Sequence, residues 1–207
     1  KGWQWLLSKN PVSEFESGIL VPLVSESASL FFHYSGHGSQ VLDRNGDEVD
    51  GYDETICPID FDTKGMITDD AIREQLVMKV PASCKLNAIV DACHSESSFD
   101  LLWQCKSSFT GGFSLKQVGK YEPSPADVYM ISGCKDNQTS SDIKVEGKGQ
   151  GALTHSILEV LKQFNYTLTW DKLLSEVQKY IRSNRLSSQV PCLSFGRSAQ
   201  ISSPFNP

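Results

Sequence analysis

The sequence predicts an α/β fold built on a mostly parallel sheet. Three short apolar runs, Ala28–Tyr34, Leu86–Ala92 and Asp127–Ser132, read as buried strands. Helix-like patterns lie between and after them, over 69–79, 151–163 and 170–184. Strands that alternate with helices imply crossover connections and hence parallel pairing. The chain has 207 residues, enough for one sizeable core and at most two small domains.

Each element has a local reason. Ala28–Tyr34 is stopped by Ser35-Gly-His-Gly38, so it reads as a strand entering a tight loop. Residues 39–65 are rich in Asp and Gly and read as mostly loop. The helix from Asp69 to Lys79 takes Thr68 as N-cap, with Asp69 and Asp70 in its first turn, where carboxylates suit the helix dipole. The run Leu86–Ala92 ends at Cys93. Trp103 to Pro125 is polar and holds Gly111-Gly112, so 103–126 reads as a flexible linker between a region 1–102 and a region 127–207. The last helix carries Leu173, Leu174, Val177, Tyr180 and Ile181 on one face, and a short strand is expected near Cys192–Phe195.

Composition narrows the function. Lys plus Arg number 19 and Asp plus Glu 25, a net charge of −6, which opposes nucleic-acid binding through a basic stripe. No apolar run approaches the length of a membrane span, and the start, Lys1-Gly-Trp-Gln-Trp, lacks the pattern of a signal peptide. The six cysteines (57, 84, 93, 105, 134 and 192) form no CxxC pair. They read as mostly small buried hydrophobes in a reducing, cytoplasmic setting, with no structural zinc.

His37 and Cys93 carry the chemistry. A cysteine nucleophile acts as its thiolate and wants a nearby base. Both residues fall at strand ends, where ligands bind in parallel sheets. Glycines flank His37 on both sides, and the Gly38 and Cys93 N–H groups are candidates for an oxyanion hole. An EF-hand is a poorer reading of the acidic loop. Asp43, Asn45, Asp47 and Glu54 fit its spacing, but its glycine position holds Glu48 and no amphipathic helix precedes it.

These residues sit in longer motifs. Phe32-His-Tyr-Ser-Gly-His-Gly-Ser39, Asp47-Glu-Val-Asp-Gly-Tyr-Asp-Glu54 and Asp91-Ala-Cys-His-Ser95 together resemble the metacaspases, with the plant type I pattern nearest. Pro58-Ile-Asp-Phe61, Gly65-Met-Ile-Thr-Asp-Asp70, Ile131-Ser-Gly-Cys134, Asp136-Asn-Gln-Thr-Ser140 and the Gly151-Ala152 helix start match as well, over roughly residues 28–200. The resemblance implies a caspase-like (caspase/hemoglobinase) fold. Large-subunit-like (p20) and small-subunit-like (p10) regions would stand on either side of the linker. It also implies a cysteine endopeptidase that cleaves after Arg or Lys, with His37 as general base and Cys93 as nucleophile. Ser35 and Asp91 match positions of the pocket for the basic side chain. Asp53, Asp69, Asp70 and Asp100 match a calcium site, so Ca2+ is expected as an activating, non-catalytic cofactor. The resemblance further implies a monomer that acts on protein or peptide substrates, without nucleic acid or membrane. Lys106, Lys116 and Lys120, in the expected linker, are candidates for self-cleavage.

Two departures from the family pattern stand out. Glu96 replaces the glycine usual after Cys-His-Ser, and glycine adopts backbone angles that Glu tolerates poorly. The family's opening strand, helix and strand are not matched before Trp3–Leu7. One flank of Ala28–Tyr34 is then expected to lack a partner unless a preceding segment or another chain covers it. A catalytically weak homologue that acts as a binding or regulatory module is the alternative these departures support.

Overall fold

The computed structural model describes residues 5–6, 27–48, 50–107, 112–133, 142–145, 148–186, 190–198 and 201–205. In chain order the elements are β1 (Trp5–Leu6), β2 (Ser29–Ser35), β3 (Gly38–Leu42), β4 (Tyr52–Ile56), α1 (Phe61–Lys64), β5 (Ile67–Thr68) and α2 (Asp69–Ile72). A π-helical turn over Arg73–Val77 continues α2. Then come β6 (Lys85–Asp91), β7 (Trp103–Ser107), β8 (Phe113–Gln117), β9 (Asp127–Ser132), β10 (Asp142–Val145), β11 (Lys148–Gly151), α3 (Ala152–Gln163), α4 (Trp170–Ser183) and β12 (Cys192–Phe195).

The central sheet has seven strands in the order β1-β2-β6-β9-β12-β7-β8. β1, β2, β6 and β9 pair in parallel, and β12 then runs antiparallel to both β9 and β7. This is the mostly parallel sheet expected from the alternating pattern. The strands β6 and β9 are buried almost throughout because both faces of the sheet are covered. Successive side chains point to opposite faces. Leu86, Ala88, Val90, Val128 and Met130 join Ile72, Leu76 and Val77 in one core, whereas Ile89, Tyr129 and Ile131 join Leu153, Ile157, Leu173 and Val177 of α3 and α4 in the other. The Thr68 hydroxyl accepts the Ala71 N–H, so the expected N-cap of α2 forms.

Three expectations need correction. Residues 39–65 hold a hairpin: β3 and β4 pair antiparallel, and β5 adds to β4. Apolar patterning could not reveal it, because this small sheet is held by backbone pairing and by cross-strand polar groups such as Gln40 Nε2, which donates to Glu54 Oε1 at 2.9 Å. The polar stretch 103–126 is not simply a linker, since β7 and β8 pair antiparallel and extend the central sheet. Its period-2 signal, Trp103 with Cys105 and Phe113 with Leu115, packs on the second core. The flank of β2 is covered over Phe31 and Phe32, which pair with Trp5 and Leu6 of β1.

Cys57, Cys84, Cys93, Cys105 and Cys192 are free thiols, three of them buried, while Cys134 lies outside the described residues. Among the described residues no helix is long and apolar enough to cross a membrane.

Candidate active site and acidic cluster

Register places the first group of residues. β2 and β6 are adjacent parallel strands, and Ser35 pairs with Asp91 at their carboxyl ends. The chain leaves β2 into Gly36-His37-Gly38 and β6 into Ala92-Cys93, so both loops rise from one edge. Gly36 N–H donates to the Asp91 carbonyl at 3.2 Å. The two loops touch at Gly38, where a Cβ would fall 2.0 Å from the Cys93 carbonyl oxygen. Only glycine fits, because the atom opposite is backbone and cannot swing away. His37 is exposed and Cys93 half-buried.

Tyr34 holds the His37 loop from below. Its hydroxyl lies 2.7 Å from the His37 carbonyl and 2.9 Å from that of Cys57, and accepts the Cys57 N–H at 3.1 Å. Burial pushes the phenol up to about 12, so it keeps its proton to donate. The Cys93 loop is fastened by its serines. Ser95 Oγ donates to the Ala92 carbonyl at 2.9 Å, and Ser98 Oγ to the Ser95 carbonyl at 3.0 Å. The left-handed positions of this loop are His94 (φ 50) and Asp100 (φ 47). Glu96 does not take such an angle, so a residue in place of glycine there meets no obstacle from backbone strain.

Asp91 is 2 % exposed and reaches across to α3. Its Oδ2 accepts the Thr154 N–H at 2.8 Å and the Thr154 hydroxyl at 2.7 Å, and a Cβ on Gly151 would fall 2.0 Å from the same oxygen. A carboxylate at a helix start is favoured by the unpaired N–H groups there. Asp91 therefore bonds the end of β6 to α3. His33 Nε2 lies 3.2 Å from Thr154 Oγ1. The Thr154 proton is given to Asp91, so Nε2 is the donor, and burial lowers the His33 pKa, favouring this neutral form.

The second group is acidic. Three sets of carboxylates have oxygens within 4.8 Å of one another: Asp43, Asp47 and Asp53; Asp47, Asp70 and Asp100; and Glu48, Asp69 and Asp100. The four residues expected at a calcium site are all here, but they do not meet at one point, and Asp43, Asp47 and Glu48 join them. Asp43 and Asp47 stood out in the sequence only for a poorly fitting EF-hand spacing, and Glu48 only as the residue that breaks it. Asp69 Oδ2 accepts the Glu54 N–H at 2.7 Å, and Asp69 Oδ1 the Asp70 N–H at 2.8 Å. Both Asp100 oxygens and Asp53 Oδ1 are buried without a hydrogen-bond partner.

Burial pushes Asp69 and Asp100 well above the ordinary carboxylate range; the charge of Asp100 adds to the first shift and that of Glu48 to the second. Burial is also the largest cause of the raised pKa values of Asp53, Asp70 and Glu48. Among the described residues no Lys or Arg forms an ion pair with this cluster. Mutually repelling carboxylates that include the buried, unpartnered oxygens of Asp53 and Asp100 suit a hard cation with several oxygen ligands, so the residues present fit calcium.

Glu54 links the two groups. Its carboxylate accepts Gln40 and, at 2.5 Å, the hydroxyl of Ser97 in the Cys93 loop, while its N–H holds Asp69. An acidic cavity of about 260 Å³ lies alongside, lined in part by Asp47, Glu48, Asp50, Glu54 and Tyr121.

The candidate self-cleavage lysines separate. Lys106 and Lys116 lie within the paired strands β7 and β8, which a protease cannot draw out as an extended loop without breaking the pairing. Lys120 lies in the exposed turn that follows.

Residues 9–102 match the family described as Metacaspase, peptidase C14 domain. The chain is 40% identical over 162 residues to Metacaspase-1 of Arabidopsis thaliana, covering 75% of this chain and 44% of that protein. It is 39% identical over 219 residues to Metacaspase-1 of Schizosaccharomyces pombe, covering 84% and 51%. The chain thus spans about half the length of these curated relatives. A crystal structure of protein GSU0716 from Geobacter sulfurreducens superposes with a TM-score of 0.63 at 23% identity, covering 93% of this chain and 75% of that one, a likeness of fold. The chain belongs to the metacaspases.

Proposed function

We propose that this metacaspase is a calcium-dependent cysteine endopeptidase that cleaves after Arg or Lys. The observation that carries the reading is the contact of Gly38 with the Cys93 carbonyl, which sets the His37 and Cys93 loops against each other at one end of the sheet.

In this reading the Cys93 thiol loses its proton to His37 and its sulfur attacks the scissile carbonyl. His37 then gives the proton to the leaving amine, and water hydrolyses the thioester in a second round. The N–H groups of Gly38 and Cys93 receive the oxyanion. Ser35 and Asp91 select the basic residue, and Thr154 holds Asp91 in place from α3. Asp53, Asp69, Asp70 and Asp100 hold calcium, which neutralises their charge. Two residues favour a coupling to catalysis: Asp100 ends the loop that begins at Cys93, and Glu54 bonds both Asp69 and Ser97. Self-cleavage, where it occurs, falls at Lys120 rather than at Lys106 or Lys116.

The test is hydrolysis of a fluorogenic Arg peptide, with and without millimolar calcium, beside Cys93→Ala. Calcium-dependent turnover lost in the variant is expected. Turnover that survives Cys93→Ala would remove the assigned nucleophile, and turnover indifferent to chelator would remove the calcium dependence.

A further inference from the structure

The acidic cluster divides into two. The trio Asp43, Asp47 and Asp53 and the trio Glu48, Asp69 and Asp100 share no residue, while Asp47, Asp70 and Asp100 bridge them. Ligand oxygens on one calcium ion lie at about 2.3–2.6 Å from it, so they stand no more than about 5 Å from one another. Each trio meets that limit by itself. A single ion centred in one trio leaves the other uncompensated.

Each trio also contains its own orphan. Asp53 is 7 % exposed and its Oδ1 has no hydrogen-bond partner; Asp100 is 1 % exposed and neither oxygen has one. Burying an unpartnered carboxylate oxygen is costly, and here the cost recurs at two separate points.

The surroundings of the two trios differ. The first opens to solvent. Asp43 orders its own turn there, accepting the N–H groups of Asn45, Gly46 and Glu48. The second is enclosed. The Tyr121 hydroxyl donates to Glu48 Oε1 at 2.8 Å, Arg73 lies 4.9 Å over the Tyr121 ring, and Arg73 Nη1 donates to the Asp100 carbonyl at 2.8 Å. The guanidinium therefore supports the wall of the site and leaves the Asp100 carboxylate to another cation.

We propose that the cluster binds two divalent cations. Glu48 is a ligand of an inner ion with Asp69 and Asp100, and Asp43, Asp47 and Asp53 hold an outer ion. The inference rests on the calcium reading above and redistributes its ligands: Asp53 goes to the outer ion, Asp69 and Asp100 to the inner one, and Asp70 lies in the trio that bridges them. The enclosed inner site is the tighter of the two.

The test counts ions. Calcium is titrated calorimetrically into metal-free chain carrying Cys93→Ala, and bound ions are counted by native mass spectrometry. Two ions per chain are expected. Glu48→Gln weakens the tighter class at least about tenfold and Asp53→Asn the weaker class, the scale usual for lost metal-site groups. A far-UV spectrum of each metal-free variant that matches the parent separates ligand loss from unfolding. One ion in the parent, or two ions of unchanged affinity in Glu48→Gln, overturns the two-ion inference and leaves the calcium reading standing. No bound ion at all overturns both.

Discussion

The candidate catalytic edge and the acidic cluster are held by opposite means. At the catalytic edge, sheet register and backbone hydrogen bonds place Ser35 beside Asp91 and seat Gly38 on the Cys93 carbonyl. That arrangement is complete without a ligand. In the acidic cluster, side chains from the β3–β4 hairpin, the start of α2 and the loop after Cys93 converge with like charge. That arrangement is incomplete, because Asp53 Oδ1 and both Asp100 oxygens are buried without donors. One region is held by its own register and the other carries buried like charge, so in the proposed reading calcium acts as a switch on a site that is otherwise built.

The comparison breaks most directly at Gly38. Gly38→Ala puts a methyl carbon against a backbone carbonyl that cannot yield, so His37 and Cys93 separate. Displacements of about 1 Å cost on the order of 100-fold in rate. The steady-state rate on an Arg peptide is expected to fall by that much while calcium affinity stays at the parent value. A fall in both would show that the two regions are not independent.

Asp100→Asn attacks the other side. It should remove the calcium response of the rate and lower calcium affinity by about tenfold or more, measured by titration. It should also stabilise the metal-free chain, since a neutral amide replaces an acid that burial and Glu48 disfavour as an anion.

The pH dependence of stability sharpens the same point. Asp69 and Asp100 have raised pKa values in the folded chain, so the native state binds more protons than the unfolded one above about pH 4. Their contribution is present below the unfolded carboxylate pKa and is lost as pH rises through the folded values. The melting temperature of metal-free protein should fall from about pH 5 to pH 8, and calcium should flatten that slope. A metal-free melting temperature that rises over this range would contradict the raised pKa values.

Smaller effects are expected where one hydrogen bond is lost. Thr154→Val keeps the backbone N–H to Asp91 Oδ2 but removes the hydroxyl donor. A bond to a charged group is worth about 1.5–3 kcal/mol, so KM for Arg peptides should rise several-fold, with kcat less affected. Tyr34→Phe should cost about 1–2 kcal/mol of stability in denaturant unfolding, since it removes the bond the hydroxyl donates and the one it accepts from the Cys57 N–H.

Much of the fold was legible locally. The runs at 29–35, 85–91 and 127–132 are apolar because the sheet is covered on both faces, and the signal survives without any long-range knowledge. α3 and α4 were legible from their one-sided apolar pattern, and Thr68 from its position before two acids. The β3–β4 hairpin was not, because Gln40 and Glu54 pair across it and hide the alternation. Nor was β7–β8, whose polar edge strand outweighs Trp103 and Cys105 in any reading by composition. Glu96 drew attention as a residue in place of glycine, yet the strained angles fall at His94 and Asp100.

By itself the sequence singled out the candidate residues for reactive chemistry. A cysteine and a glycine-bracketed histidine each follow an apolar run, and a run's end is a local property. It also determined that acids cluster near 43–54 and 69–70. The tertiary structure decided what those residues meet. The meeting of Glu48 with Asp69 and Asp100, the seating of Asp91 on Thr154, and the tether from Glu54 to Ser97 join positions 21 to 63 residues apart. Such distances are set by strand order and loop packing, which no local period encodes.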